Sequence, residues 1–308
     1  MDIAITVIVC FIVLVFVFFI IFSYILFNIV IRNDTNKNLI FKNNTDEEEK
    51  NEYFVLNNKE EIYINSYDNL KLHASVVVNN SSDVFVILIH GYCANSVYME
   101  QRADIFIKTR GYSVLLPDLR ASGKSEGKYI GMGWLDRLDI KKWVEYINNN
   151  YSNKKIILYG VSMGAATVMM SVGENLKNVV CAIEDCGYVS VEDEMSYQLK
   201  KIFKLPKFPV IYISSIICKL KAGYYFKEAS CITQLNKCKV PILFIHGDKD
   251  TFVPTFMVYE LYNQYKSKKD LLVISEATHA KSMYKDGIKY WDKIFKFLDK
   301  LGGELYEI

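Results

Sequence analysis

No Cys-x-x-Cys pair and no His-Glu-x-x-His stretch occurs in these 308 residues. The first absence, with cysteines numbering an odd seven, argues against a disulfide framework and suits a reducing compartment with free thiols. The second removes the paired helical histidines that usually hold a catalytic zinc, so His90, His246, Asp248, Asp250 and His279 do not read as metal ligands. Histidine is scarce altogether: His73, His90, His246 and His279 are the full set. Neither sign of charge dominates. The 37 basic and 35 acidic residues are interspersed for a net +2, which leaves no basic footprint for nucleic acid. No internal repeat points to a solenoid or propeller.

The chain does have a long hydrophobic run. From Ile3 to Ile31 there are 29 residues without a formal charge, including "VIVCFIVLVFVFFIIF". At about 1.5 Å per residue, a helix of that length outlasts a hydrocarbon core of ~30 Å even with some tilt. A secretory signal peptide would start with basic residues, carry a shorter apolar core and end at a small-residue cleavage site. Only Asp2 and the amino terminus precede this core, and "YILFNIVIRN" offers no such site. Residues 1–31 therefore read as a retained single-pass transmembrane anchor. Arg32, Lys37, Lys42 and Lys50 follow it and no Lys or Arg precedes it, which places the bulk of the chain on the cytoplasmic side of the cell membrane. Residues 32–52 are polar and Asn-rich and read as a solvated linker, the acidic run 46–49 included. Residues 53–308 suffice for one sizeable α/β domain with a single core.

Within that domain, "EIYINS" and "KLHASVVV" flank "YDNL" as a hairpin with an Asp-Asn turn. "VFVILIH", "YSVLLPD", "KKIILYG", "VVCAIED" and "VPILFIHGD" read as buried strands, and "KDLLVISEATHA" supplies the last. Helical stretches fall near 97–109 and 134–148, and "IKYWDKIFKFLDKL" closes the chain as an amphipathic helix. Strands alternating with helices predict a mostly parallel central sheet covered on both faces. Residues 187–238 break the alternation with aromatic, aliphatic and basic residues around Pro206 and Pro209. At about 50 residues this is too long for a plain crossover, and it reads as a small helical cap over the ligand site. In such sheets ligands bind beyond the carboxyl ends of the strands. Those ends are where His90-Gly91-Tyr92, Gly160 to Gly164, Asp185, Asp250 and His279 fall.

"LYGVSMGAA" then asks why one serine, Ser162, stands between two glycines after a run of strand formers. Gly160-Val161-Ser162-Met163-Gly164 fits the G-x-S-x-G elbow, in which a sharp turn lifts a nucleophilic hydroxyl clear of the backbone. A serine hydroxyl needs a base to take its proton. His73 lies in the hairpin, and His90 and His246 each end a strand before a glycine, where they brace loops. His279, after the last strand, is left as the base. An acid must fix its tautomer, and Asp250 in "HGDKDTFVP" is chosen. Asp248 braces the adjacent turn in this reading, and Asp185 is the reserve. Donors for a developing oxyanion come from the backbone N–H of Met163, next to the nucleophile, and of Tyr92, in the loop after His90. "ASGKS" is not a phosphate loop, because Asp118 stands where its first glycine belongs.

Taken together, "LIHGYCAN", "LLPDLRASGKSEG", "GVSMGAA", "FIHGDKDTFVP" and "ATHA" resemble the α/β-hydrolase superfamily, in order, over residues 60–308. The likeness is strongest to its membrane-anchored bacterial branch, similar to cinnamoyl-esterase-like and Bem46-like serine hydrolases. Ala121-Ser122 departs from the Gly-His that relatives often carry in that loop. The resemblance implies an α/β-hydrolase fold with Ser162, Asp250 and His279 as triad and Tyr92 and Met163 at the oxyanion hole. No cofactor is then needed. The apolar cap, with Phe203, Phe208, Ile211, Tyr212, Ile213, Ile216 and Ile217, leads one to expect an acyl or aromatic carboxylic ester, lipid-like in character. A serine peptidase or aminopeptidase of the same fold, or an anchored non-catalytic binding protein, are the alternatives.

Overall fold

The computed structural model describes residues 3–32 and 55–302. The expected linker, with its acidic run and Lys37, Lys42 and Lys50, falls outside the described residues except for Arg32. Helix α1 (Ile3–Val30) comes first, followed by β1 (Glu60–Asn65), β2 (Lys71–Val77) and β3 (Val84–Ile89). A single 3₁₀ turn (Ser96–Met99) leads into α2 (Glu100–Arg110) where one continuous helix was expected. Next come β4 (Ser113–Pro117), α3 (Asp136–Asn150), β5 (Lys155–Val161), α4 (Met163–Val172) and β6 (Val179–Asp185). Three helices, α5 (Val191–Phe203), α6 (Val210–Ala222) and α7 (Cys231–Leu235), separate β6 from β7 (Ile242–Gly247). The chain finishes with α8 (Phe256–Gln264), β8 (Lys269–Ile274), α9 (Ser282–Lys285) and α10 (Gly287–Lys300).

All eight strands join one sheet in the order β1-β2-β4-β3-β5-β6-β7-β8. The β1/β2 hairpin and the β2/β4 pair are antiparallel, and every other pairing is parallel. The period-two rule for strand side chains explains the two cores. Phe85, Ile87 and Ile89 of β3 pack with α3, α4 and α8 residues such as Trp143, Val168 and Val258. Val84, Val86 and Leu88 point the other way, onto Phe106 of α2 and Tyr290 and Ile294 of α10. This is the α/β-hydrolase fold, and the candidate site residues lie at the carboxyl ends of β3, β5, β6, β7 and β8.

Helix α1 is long and apolar enough to cross a membrane, with a mean hydropathy of 3.5 over its best 18 residues. Its side chains are all exposed as far as Phe18, and from Phe19 onward the helix meets protein. Ser23, Phe27 and Ile31, four apart and hence on one helical face, are buried. Ser23 Oγ donates to the Val210 carbonyl at 3.2 Å, and the Phe22 ring meets that of Phe203 edge-on at 5.6 Å. The end of the helix is fastened by Ile130 N–H donating to the Ile31 carbonyl at 2.8 Å and by a bridge between Arg32 and Tyr129. Burying Phe27 and Ile31 contributes roughly 1.5–3 kcal/mol each. The apolar helix is therefore in direct contact with the α/β domain.

Several carboxyl groups inside this fold have opposite pH signatures. Burial pushes Asp136 up to about 7 and both Glu184 and Glu194 up to about 8. Burial opposes the charge on Asp118 and Asp250 too, but hydrogen bonds outweigh it and hold each at about 2. For the raised groups the unfolded chain releases its protons first, so their stabilising contribution is complete below ordinary carboxylate values and is lost as pH rises towards 8. The lowered pair acts oppositely, losing its contribution only as pH falls towards 2. We therefore expect the thermal midpoint to drop by several degrees between pH 5 and pH 8.5. Scanning calorimetry across that interval checks it, and a flat or rising midpoint would contradict the assignment.

Candidate active site

Ser162 stands where β5 hands over to α4, at φ 57° and ψ −120°. A residue with a Cβ rarely adopts that backbone, and the strain persists only where neighbours over-determine it. Two glycines let those neighbours close in. A Cβ on Gly160 would sit 2.2 Å from the Gly164 carbonyl oxygen. One on Gly164 would sit 2.1 Å from the Ile89 carbonyl oxygen and 2.6 Å from that of His90. The Ser162 N–H donates to the Asp185 carbonyl at 2.8 Å, pinning the turn to β6. Gly164→Ala is accordingly expected to destabilise the protein by roughly 2–4 kcal/mol, because backbone rather than a movable side chain blocks the methyl. Thermal unfolding beside wild type measures this, and a shift below one degree would show that the turn can yield.

The hydroxyl, imidazole and carboxylate singled out from sequence lie in one hydrogen-bonded line. Ser162 Oγ is 2.8 Å from His279 Nε2, and His279 Nδ1 is 2.7 Å from Asp250 Oδ2. A carboxylate only accepts, so Nδ1 carries the proton and Nε2 offers its lone pair to the serine hydroxyl. Asp250 is buried, and its other oxygen accepts from the N–H groups of Phe252 at 2.9 Å and Val253 at 3.0 Å. Burial disfavours its charge, yet His246 and His279 beside it keep the carboxyl ionised down to about 2. The Phe252 ring leans on the His279 ring at 4.8 Å between centroids, shielding the imidazole.

The remaining sequence candidates occupy other positions. His246, expected only to brace a loop, directs Nε2 to the Val253 carbonyl at 2.9 Å and to Asp250 Oδ2 at 3.3 Å. Burial opposes its charge, but Asp250 raises its pKa overall. Asp250, not Asp248, braces the turn at 252–253. Asp248 instead accepts from Glu276 N–H at 2.6 Å and from Ser275 at 3.2 Å, steadying the loop that carries His279. Asp185, the reserve acid, accepts from the Tyr290 hydroxyl at 2.8 Å, in a buried cluster with Tyr159 and Arg102. His90 accepts from Leu119 N–H at 3.0 Å through Nε2 and bonds the Gly91 carbonyl at 2.8 Å through Nδ1, which fixes a neutral tautomer under the loop that follows β3. His73 pairs with Asp118 at 2.7 Å, and that carboxylate also accepts from Ser96 and Lys124 N–H groups, each at 2.8 Å. The "DLRASGKS" loop is thus wrapped around an aspartate.

Met163 opens α4, so its N–H is one of those without an intrahelical acceptor. Gly91 abuts Ser162, with a Cβ there meeting Ser162 Cβ at 3.3 Å, and Tyr92 follows it into the same cavity. That cavity measures about 130 Å³ and contains Ser162 and Met163 in its wall. Met132, Met195, Leu199, Ile211 and Phe226 make most of it apolar. Of the cap residues expected to face it, Phe203 and Ile211 do, while Phe208, Tyr212 and Ile216 are exposed. Glu194 is the single acidic group in its wall among the described residues, hydrogen-bonded to Gln198 at 2.8 Å and held neutral up to about 8 by burial. Among the described residues, the potential metal donors that come together are Cys186, Asp250 and His279, all within 4.8 Å of one another. Burial keeps the Cys186 thiol protonated, and the other two are already paired with each other.

Comparison with known proteins agrees with this architecture. A family model described as serine aminopeptidase, S33, matches residues 80–212, which include Tyr92, Ser162 and Met163. YqkD of Bacillus subtilis is 28% identical over 218 residues, spanning 70% of this chain and 71% of that protein. Bem46 of Schizosaccharomyces pombe is 24% identical over 246 residues, spanning 78% and 76% of the two chains. The esterase Pf2001 of Pyrococcus furiosus superposes with a TM-score of 0.64 at 27% identity, covering 79% of this chain and 90% of that one.

Proposed function

We propose that this α/β-hydrolase is a membrane-anchored serine esterase that cleaves a carboxylic ester of an acyl or aromatic acid through an acyl-enzyme on Ser162. The observation that carries this reading is the Ser162–His279–Asp250 line, at 2.8 Å and 2.7 Å, opening into an apolar cavity. Ser162 Oγ attacks the carbonyl carbon while His279 Nε2 takes its proton. The tetrahedral oxyanion is held by the Met163 and Tyr92 N–H groups, each worth ~100- to 1000-fold in turnover. His279 then hands the proton to the departing alkoxide, and a water repeats the sequence to release the acid. Asp250 keeps the imidazole in the required tautomer and stabilises its charged form. Residues 1–31 anchor the enzyme, 53–308 carry the chemistry with 187–238 as cap, and the basic residues after α1 put the domain on the cytoplasmic side of the cell membrane.

The family model's description favours a second reading, an aminopeptidase. Such an enzyme needs an anion to hold the substrate's ammonium group. Glu194 is the acid in the cavity wall, but burial favours its neutral form and Gln198 takes one of its oxygens, which favours the ester. A panel of p-nitrophenyl esters of increasing chain length, run beside aminoacyl anilides, separates the two. Esters should be turned over and anilides left intact. Anilide cleavage that exceeds ester cleavage would replace this reading with the peptidase.

A further inference from the structure

We propose that the membrane helix is itself a wall of the acyl-binding site, and that the substrate is a long-chain ester which slides in from the bilayer between α1 and the cap. This deepens the esterase reading above and rests on it. The cavity that contains Ser162 is lined on one side by Leu26, Phe27, Ile29 and Val30 of α1. Another part of the wall is the carboxyl end of α5, where Ile202 and Phe203 both line the cavity and remain 48% and 43% exposed. Residues that face cavity and surroundings at once mark its mouth. That mouth is hydrocarbon in character, and water gains nothing by entering it.

Its position along α1 decides what lies outside. The fully exposed portion, Ile3 to Phe18, rises about 24 Å, most of the ~30 Å of a bilayer's hydrocarbon core. Contact with the domain begins at Phe19, which packs against the core, and continues at Phe22, which meets Phe203. The mouth therefore opens at the depth where acyl chains end and headgroups begin. Helix α6, bonded to α1 through Ser23 and Val210, carries Tyr212, Ile216 and Leu220 exposed at four-residue spacing, with Phe208 exposed just before it, Phe208 at 71% and Leu220 at 79%. An apolar row of that kind next to a spanning helix is covered by lipid. The link to the chemistry is one bond long: the Tyr92 hydroxyl donates to the Val30 carbonyl at 2.8 Å, tying the end of the membrane helix to the oxyanion loop.

The test uses the full-length protein in phosphatidylcholine vesicles. A fluorogenic hexadecanoyl ester is presented in the bilayer, and a butyryl ester of the same reporter is supplied in solution. The reading is the ratio of the two rates, with fluorophosphonate labelling of Ser162 showing that each variant is folded. Leu26→Trp and Ile202→Trp narrow the mouth from α1 and from α5, and each should lower the ratio about tenfold or more, in line with the sensitivity of apolar pockets to shape. Tyr24→Trp, on an exposed part of α1, should leave the ratio unchanged. A ratio unmoved by both mouth variants, or lowered equally by Tyr24→Trp, would overturn the proposal. So would wild type that turns over the butyryl ester and ignores the bilayer ester. Wild type that neither labels nor hydrolyses either ester would instead remove the underlying esterase reading.

Discussion

Ser162→Ala should lower kcat on an activated ester by about a million-fold, the loss seen when an acyl-transfer nucleophile is removed from an otherwise intact site. The size follows from the geometry around residue 162. The hydroxyl is delivered by a strained turn at φ 57°, and no other described hydroxyl or thiol is bonded to His279 Nε2. Cys186 lies near the imidazole but is kept in its thiol form by burial, so it cannot take over. The substitution removes one buried oxygen and leaves Gly160, Gly164 and the Asp185 contact in place, so stability should hardly change. Steady-state kinetics with a p-nitrophenyl ester, beside thermal unfolding, measures both. A variant that keeps more than about a hundredth of wild-type kcat would place the nucleophile elsewhere.

Asp250→Asn should cost about ten-thousand-fold in kcat with little change in KM. The amide would present N–H to His279 Nδ1, turning the imidazole to the tautomer whose Nε2 bears the proton. Nε2 then cannot accept from Ser162. Asp250 also receives His246 at 3.3 Å, so two imidazoles lose their shared acceptor at once. The side-chain carbonyl can still take the Phe252 and Val253 N–H groups, which preserves the turn. The split between kcat and KM is the informative part, because Asp250 is outside the cavity wall and does not touch the acyl chain. A loss below tenfold would mean that another acid orients His279, and Asp185 would then need re-examination.

The strands were legible in the sequence because parallel strands buried on both faces become unbroken apolar runs such as "VFVILI". Ser162 was legible because a strained elbow demands glycines at fixed offsets, and little else does. His279 could be reached by elimination in a chain with four histidines. The two aspartates of "HGDKD" were harder. Their jobs are divided by which loop each carboxylate faces, and spacing does not encode that; Asp248 consequently braces 275–276 rather than the turn assigned to it. The contribution of α1 to the cavity was invisible for a different reason. A helix that is apolar all round shows no amphipathic pattern, so the face seated on protein, Ser23, Phe27 and Ile31, looks like the face left for lipid. Cap residues posed the same problem: composition identified an apolar insertion, while only the fold separates Ile211, which lines the cavity, from Tyr212 and Ile216, which are exposed.

Intact mass after incubation with a fluorophosphonate decides whether Ser162 is the nucleophile. A single phosphonyl group should be added, mapped to Ser162 in the peptide digest and absent from Ser162→Ala. Wild-type protein that is folded yet unmodified, or modified at a residue other than Ser162, would contradict it.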